Sequence, residues 1–466
     1  MHEDAEVLDA ARISDVRNPI VVKKDTIEYN ASSFKTSEND MLEELLKKLP
    51  GVEVEADGTI TANGETIKKI TIDGKTFFLD DPQLASKNLP AKMIEKVKVV
   101  ERKSEQARFT GIDDGQEEFI IDLSIYKGMM DGWFGNLTAG AGHDAPDKGY
   151  YNEEHKFADE GWRYQGGAIV GNFKDHSQLT LILNANNTNN RGFNDVAGGM
   201  MQDMRGGGMG RGSGGWGGGN GISTSWMGGL NGAWDLFDGD MELSGNYLYN
   251  GSINDVMEES SKITYLEDGS RLLNDETGTG RTMTQGHRFG MRLEHKFSEN
   301  TSILFEPQFN FGSGSFNEYS DFNTGSLADG SADTLKVNKG YTSNQGRNKN
   351  WTASGFLLFR QRLGKPGRTI SANVRYSFSN NDLNGLNKSL TQIADPAGME
   401  WIGESDPVNQ SFTQNSTSSS VNGRLVYTEP LTEYLFLEAN YQYNWSQSHS
   451  NKETIDVETG LRNDDY

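Results

Sequence analysis

Residues His287–Phe311 read HRFGMRLEHKFSENTSILFEPQFNF and, taken two at a time, divide into two sets. Phe289, Met291, Leu293, His295 and Phe297 alternate with Arg288, Gly290, Arg292, Glu294 and Lys296. After Ser298-Glu299-Asn300, Ile303, Phe305, Phe309 and Phe311 alternate with Glu306, Gln308 and Asn310. A period of two sends successive side chains to opposite faces of a strand. The stretch predicts an antiparallel hairpin with one apolar and one charged face. Such faces suit a membrane β-barrel, with lipid outside and a wet or plugged lumen inside.

The same alternation predicts about eleven strands, at 133–142, 160–172, 177–187, 222–236, 240–250, 281–297, 301–315, 345–363, 368–381, 414–428 and 433–447. Leu179, Leu181 and Leu183 oppose Gln178, Thr180 and Asn184; Ile370, Val374 and Phe378 oppose Ser371, Asn373 and Arg375. Short turns at Lys174–His176, Phe237–Gly239, Ser298–Asn300, Gly364–Gly367 and Glu429–Thr432 take turns with long polar stretches at 143–159, 188–221, 251–280, 316–344 and 382–413. Short turns on one side and long loops on the other are the outer-membrane barrel pattern. Trp133, Trp162, Trp226, Trp234, Tyr427 and Trp445 fall toward strand ends, where interfacial belts place aromatics, although core aromatics would give much the same set.

Ahead of these strands lies a segment of another kind. Residues 1–18 read as a flexible lead, 19–127 as a compact α+β domain, and 128–466 as the barrel. In the α+β domain, Ile20–Val22 and Thr26–Tyr29 read as strands, and Ser37–Asp40 as a capped helix start before Met41, Leu42, Leu45 and Leu49. Short strands follow, punctuated by Asp57-Gly58, Asn63-Gly64 and Asp73-Gly74, dipeptides that tolerate the positive φ of tight hairpins. A helix over Asp81–Asn88 and strands at Val97–Val100 and Glu118–Ile125 complete the domain.

Composition narrows the classes. The chain has 466 residues, 34% of them hydrophobic, and no run nears the ~20 apolar residues of a membrane helix; a barrel needs none, because each strand shows lipid only alternate side chains. A net charge of −23 argues against nucleic acid as a partner. The absence of cysteine removes disulfide and thiol chemistry. Abundant glycine (55) with scarce proline (10) suits a large antiparallel sheet. MHEDAEVLDAARISD has no apolar core of a signal peptide, so a processed or truncated start is expected for an exported barrel.

Several blocks carry a family resemblance: DTIEYNASSFK (25–35), DMLEELLKKLPGVEVEADGTITANGE (40–65), KKITIDGKTFFLDDPQLASKNLPAKMIEKVKVVER (68–102), FIIDLSIYKG (119–128) and WFGNLTAGAG (133–142). In that order they resemble the plug domain and first barrel strand of TonB-dependent outer-membrane receptors, in the branch of Gram-negative bacteria that carries a regulatory domain. The expected fold is therefore an α+β plug followed by an antiparallel transmembrane β-barrel, about 11 of the ~22 strands of a plugged transporter, so that the chain reads as a plug with the N-terminal half of a barrel. The resemblance implies localisation in the bacterial outer membrane, contact with its lipid, and an extracellular ligand such as a siderophore, glycan or peptide. It also implies TonB as the periplasmic energy coupler and allows a surface lipoprotein beside the receptor. TonB would pair by β-augmentation with a segment inside Glu6–Val16, with Glu6, Val7, Leu8 and Asp9 as contacts. A structural or adhesive barrel without active transport is the rival class; a barrel enzyme comes third.

For the ligand, the resemblance points to extracellular loops, and Gly192–Gly221 is a Gly/Met-rich one. It offers Met200, Met201, Met204, Arg205, Met209, Arg211 and Trp216. Its methionines are donors for a soft ion such as Cu(I), but a loop without metal is the reading kept. GRGSGG (210–215) fits a dinucleotide fingerprint only formally, with no strand before it and no helix after. Asp235, Asp238 and Asp240 flank a short turn and are read as turn residues, not calcium ligands. No catalytic arrangement, cofactor site or metal site is expected.

Overall fold

The computed structural model describes residues 18–38, 40–55, 58–78, 82–110, 115, 117–127, 132–144, 161–174, 176–189, 221–328, 330–331, 333–404, 407–432 and 435–462. The first elements are strands β1 (Ile20–Val22) and β2 (Thr26–Asn30), helix α1 (Leu42–Leu46), and strands β3 (Val52–Val54), β4 (Ile60–Ala62), β5 (Glu65–Thr66), β6 (Lys69–Ile72) and β7 (Lys75–Phe77). Helix α2 (Pro82–Asn88), strand β8 (Ile94–Lys103), helix α3 (Glu105–Thr110) and strand β9 (Glu117–Ile125) follow. They form a six-stranded sheet in the order β1-β2-β8-β9-β6-β7 and a small sheet β3-β4-β5. Leu42, Leu45, Leu46 and Leu49 are buried with Ile70, Ile72, Ile121 and Leu123 in one core. Asn63-Gly64 (φ 53° and 86°) and Asp73-Gly74 (φ 49° and 81°) make the tight turns their sequences predict.

The helix start differs from expectation. Met41, not Ser37, is the N-cap and makes no side-chain cap bond. Asp40 instead closes a turn before the helix: its carboxylate accepts from Ser37 N at 2.8 Å. The hydroxyl and acid signals are real, but they serve this turn. Strands β5 and β7 and helix α3 were also not anticipated. Helix α3 buries a single apolar residue, Ala107, so it leaves no periodic trace.

The second sheet has twelve strands. They are β10 (Gly132–His143), β11 (Trp162–Lys174), β12 (Ser177–Asn186), β13 (Ile222–Leu236), β14 (Met241–Tyr265), β15 (Arg271–Ser298), β16 (Thr301–Leu327), β17 (Thr334–Arg362), β18 (Thr369–Ala394), β19 (Trp401–Glu404), β20 (Val408–Pro430) and β21 (Phe436–Asp456). All pair antiparallel in chain order, with β19 a side branch on β18. The eleven expected strands are present, but six are much longer than their hydropathy indicates, 23 to 29 residues each. The stretches 251–280, 316–344 and 382–413, expected as loops, are mostly strand, with turns among the described residues at 266–270 and 395–400. Both faces there are polar, so alternation fades while the hydrogen-bond ladder continues. Cross-strand pairs such as Ser320–Thr342 (2.8 Å between hydroxyl oxygens) support it. Most of 143–159 and 188–221 falls outside the described residues.

The faces are as predicted. Leu179, Leu181 and Leu183 are exposed while Gln178, Thr180 and Ile182 between them are buried. Register aligns the apolar face into level rows. Tyr249, His287, Phe311 and Trp351 form the top row, and Met241, His295, Ile303 and Phe359 the bottom one. In the top row His287 stacks on Phe311 at 4.5 Å and meets Tyr247 Oη at 2.7 Å. The band from Met241 to Tyr249 runs about 27 Å along the strand at ~3.4 Å per residue, close to the length a tilted strand needs to cross a bilayer. Beyond the top row the outward positions mix polar residues such as Asp255, Glu259, Arg281 and Lys349 with Met257, Ile263 and Met283.

Candidate functional site at the seam between the two sheets

The α+β domain sits on the inward, polar face of the twelve-stranded sheet, and the seam between them has two halves. The first is apolar. Phe77 and Phe78, edge to face at 4.9 Å, share one core with Ile169, Phe173, Ile182, Met227 and Leu248 of β11–β14. Three polar ties fix the register. Phe78 N donates to Asn231 Oδ1 at 3.0 Å, Gln178 Nε2 donates to the Ile72 carbonyl at 3.3 Å, and Lys75 pairs with Asp235 at 2.9 Å. Asp235 is thereby an ion-pair partner, and Asp238 sits in the turn at φ 55°. Asp238 is thus a turn residue, whereas Asp235 lies in β13 and is held by Lys75.

The second half is ionic and centres on Glu105, the first residue of α3. Its carboxylate meets Arg108 and Arg292 at 3.2 Å each, Arg360 at 3.5 Å and Arg102 at 3.7 Å. Arg292 also binds Glu294 at 3.1 Å and Glu306, and Arg360 binds Glu294 and donates to Ser302 Oγ at 2.9 Å. Phe109, four residues on, lies under the guanidiniums of Arg360 (5.6 Å) and Arg362 (5.0 Å). Burial pushes the Glu105 carboxyl up, but Arg292, Arg108, Arg102 and Arg360 outweigh it and hold the group below the usual carboxylate range. One short helix thus ties the α+β domain to β15 and β17 by paired charges.

Beside this latch a cavity of about 1070 Å³ separates β8, β9 and α3 from β15–β21; Lys69, Arg102, Gln106, Arg375 and Arg424 are among its walls. Gln106 is a lining residue whose own amide atoms are buried without a hydrogen-bond partner. The α+β domain is packed tightly against β11–β14 and stands off the later strands.

Comparison with known proteins adds the following. No family model matches the chain, and no curated protein does. Among solved structures it is similar to the siderophore receptor PirA from Pseudomonas aeruginosa (9% identity, 94% of this chain and 93% of that one, TM-score 0.25). It is also similar to the alcaligin outer-membrane receptor FauA from Bordetella pertussis (10% identity, 96% and 82%, TM-score 0.24) and the closed form of the ferric-catecholate import receptor Fiu from E. coli (12% identity, 94% and 75%, TM-score 0.27). All three are receptors.

Sequence reasoning placed its site residues elsewhere. Glu6, Val7, Leu8 and Asp9, and Met200, Met201, Met204, Arg205, Met209, Arg211 and Trp216, lie outside the described residues. Arg292, Glu294 and Glu306 were legible as charges of both signs on one strand face, a signal that something charged docks there. Glu105 was not, because α3 was unread.

Proposed function

We propose that the chain is the plug and barrel wall of a TonB-dependent outer-membrane receptor that takes up an extracellular ligand. The observation that carries this is a small α+β domain seated on the inward face of a wall whose outward face bears an apolar belt of bilayer height. The two halves of the seam divide the work. Apolar packing on β11–β14 holds the plug in the lumen, while paired charges at Glu105 form a contact that can part without exposing apolar surface. In this reading TonB pulls on the segment containing Glu6–Asp9, the latch gives, and a path opens on the cavity side.

The test is binding of the TonB C-terminal domain to the full chain in outer-membrane fractions, with and without Val7→Pro, which removes a backbone donor from the pairing strand. The reading expects outer-membrane fractionation and TonB binding that Val7→Pro abolishes. A chain absent from the outer membrane, or one that ignores TonB, sinks it. One observation favours the rival structural barrel: strands of 25 to 29 residues that rise well beyond the apolar belt. That reading expects membrane insertion without TonB binding.

A further inference from the structure

The plug answers the arginines of the wall on one side only. Around the latch the inward face carries Arg292 and Arg360 on β15 and β17, then Arg375 and Arg424 on β18 and β20. Register runs one inward row from Glu306, which Arg292 binds, through Phe356 to Arg375. Glu105 meets the first two arginines. Among the described residues no acid of the plug pairs with the other two, and both line the cavity.

That cavity is positively charged. Its walls hold seven cationic and four acidic side chains, in a chain whose net charge is −23. Three of the acids are engaged: Glu105 and Glu306 by Arg292, and Glu118 by Lys69 at 3.0 Å. Lys68 on the plug and Arg375 on the wall pair with no acid among the described residues, and both are exposed, so a solute reaches them. Arg424 meets Glu438 of the wall at 3.6 Å. Burial and the nearby Arg108 push the Arg102 guanidinium down, and Glu105 does not restore it. Like charges on facing walls repel, and the plug stands off β18–β21 while it packs on β11–β14.

A cavity of this sign calls for an anion, and its geometry selects the class. Arg375 pairs in register with Asn422, and Asn373 with Arg424, so the two arginines are diagonal neighbours about 7–8 Å apart on one face. The ring of Phe356 lies 4.7 Å from the Arg375 guanidinium and fixes its place. Guanidinium forks take phosphate oxygens two at a time, and an ammonium is a point-charge partner for the same group. One carboxylate has two oxygens and one charge, too little for two forks and a lysine. Two linked phosphoryl groups supply both. At about 1070 Å³ the cavity admits a small molecule and no protein domain.

We propose that this cavity binds a small multivalent phosphate anion, anchored by Arg375 and Arg424 on the wall and Lys68 on the plug. The anion bridges the side of the seam that Glu105 leaves open. Arg375 and Arg424 lie six residues from Thr369 and Pro430, at the short-turn ends of β18 and β20 and away from the long connections. The assignment therefore uses the seam alone and holds whatever the other end of the barrel captures, with or without TonB.

The experiment uses the full chain in non-ionic detergent micelles and calorimetric titration with pyrophosphate, adenosine diphosphate and citrate. Protease release of the plug is followed on the same samples. Pyrophosphate is expected to bind and to raise the release midpoint. Arg375→Gln and Arg424→Gln should each weaken binding about tenfold or more, the loss of one hydrogen bond to a charged group. Arg375→Lys, which keeps the charge and loses the fork, should weaken it less, and it decides alone if the glutamine variant does not fold. Arg347→Gln removes the same charge from an exposed outward position on β17 and should leave binding unchanged. Tighter binding of adenosine diphosphate than of pyrophosphate supports the site and assigns an organic phosphate; the reverse assigns an inorganic one. Citrate binding as tight as that of pyrophosphate overturns the proposal. So does phosphate binding that ignores Arg375 and Arg424 or follows Arg347, binding with no shift in the release midpoint, and silence from all three anions.

Discussion

Phe78 of the plug lies so close over Gly229 of β13 that a Cβ on the glycine would stand 3.0 Å from Phe78 Cε1 and 3.2 Å from Leu248 Cδ1. Phe78 itself holds φ at 48°, a conformation unusual for an aromatic residue, and its amide is bound by Asn231. The missing side chain at 229 is therefore what admits the plug's aromatic pair to the wall.

Filling that gap should unseat the plug. Gly229→Val is expected to cost ~1–3 kcal/mol by overpacking, read as a lower midpoint for protease release of the plug. Gly228→Val is the control: its side chain points outward, where the nearest atom is Leu183 Cδ2 at 3.5 Å. Equal sensitivity of both positions would show that the seat is not where the structure puts it.

The ionic latch makes a second prediction. Glu105→Ala removes the carboxylate shared by Arg292 and Arg360, yet both arginines keep Glu294, and Arg292 keeps Glu306 as well. The loss is therefore expected to be moderate, ~1.5–3 kcal/mol, as for hydrogen bonds to charged groups. A double-mutant cycle with Arg360→Ala should give a coupling of ~0.5–3 kcal/mol. Additive single and double variants would mean that the pair contributes nothing to docking.

The same carboxylate sets a pH dependence. Glu105 has its folded pKa depressed below the ordinary value of 4.5, net of burial, by the four surrounding arginines. A depressed carboxyl contributes stability that is present above the unfolded pKa and is lost as pH falls toward the folded one. Docking of the plug should thus be flat at neutral pH and weaken below about pH 4.5. In Glu105→Gln that acid limb should shrink. Protease release followed from pH 7 to pH 3 decides it, and an unchanged limb in the variant would assign the acid sensitivity to other groups. Glu429, at the rim of short turns, provides a contrast: Arg368 and Tyr427 hold it at about 2, so it stays ionised throughout that range.

Much of this architecture was legible because alternation is a direct readout of faces. Leu179, Leu181 and Leu183 announce which side meets lipid, and Asn63-Gly64 announces its own hairpin. The extensions of β14–β18 and β20 were not legible, since a strand with two polar faces, such as 271–285, has no hydropathy signal and is held by its ladder. The latch was half legible. Arg292 and Glu306 stand out on a strand otherwise apolar at alternate positions, but Glu105 belongs to a one-and-a-half-turn helix whose position depends on tertiary contacts. Gly229 carried no signal at all, because what makes it necessary is a ring 151 residues away in the chain.

The parity of the wall gives the last prediction. Met291 faces outward at mid-height of the apolar belt, opposite Gly245 in register. Ser354, at a similar height on β17, faces inward and lines the cavity. Met291→Arg should therefore cost ~2–4 kcal/mol, the penalty of a cation at the bilayer midplane. Ser354→Lys should cost about 1 kcal/mol or less, because its ammonium enters an aqueous space already bordered by Glu306. Reversible urea unfolding of the full chain from short-chain phosphatidylcholine vesicles measures both. A penalty confined to Met291→Arg establishes which face meets lipid. Equal penalties would mean that both faces are buried in protein, and the sheet would then be the core of a soluble fold with no membrane on either side.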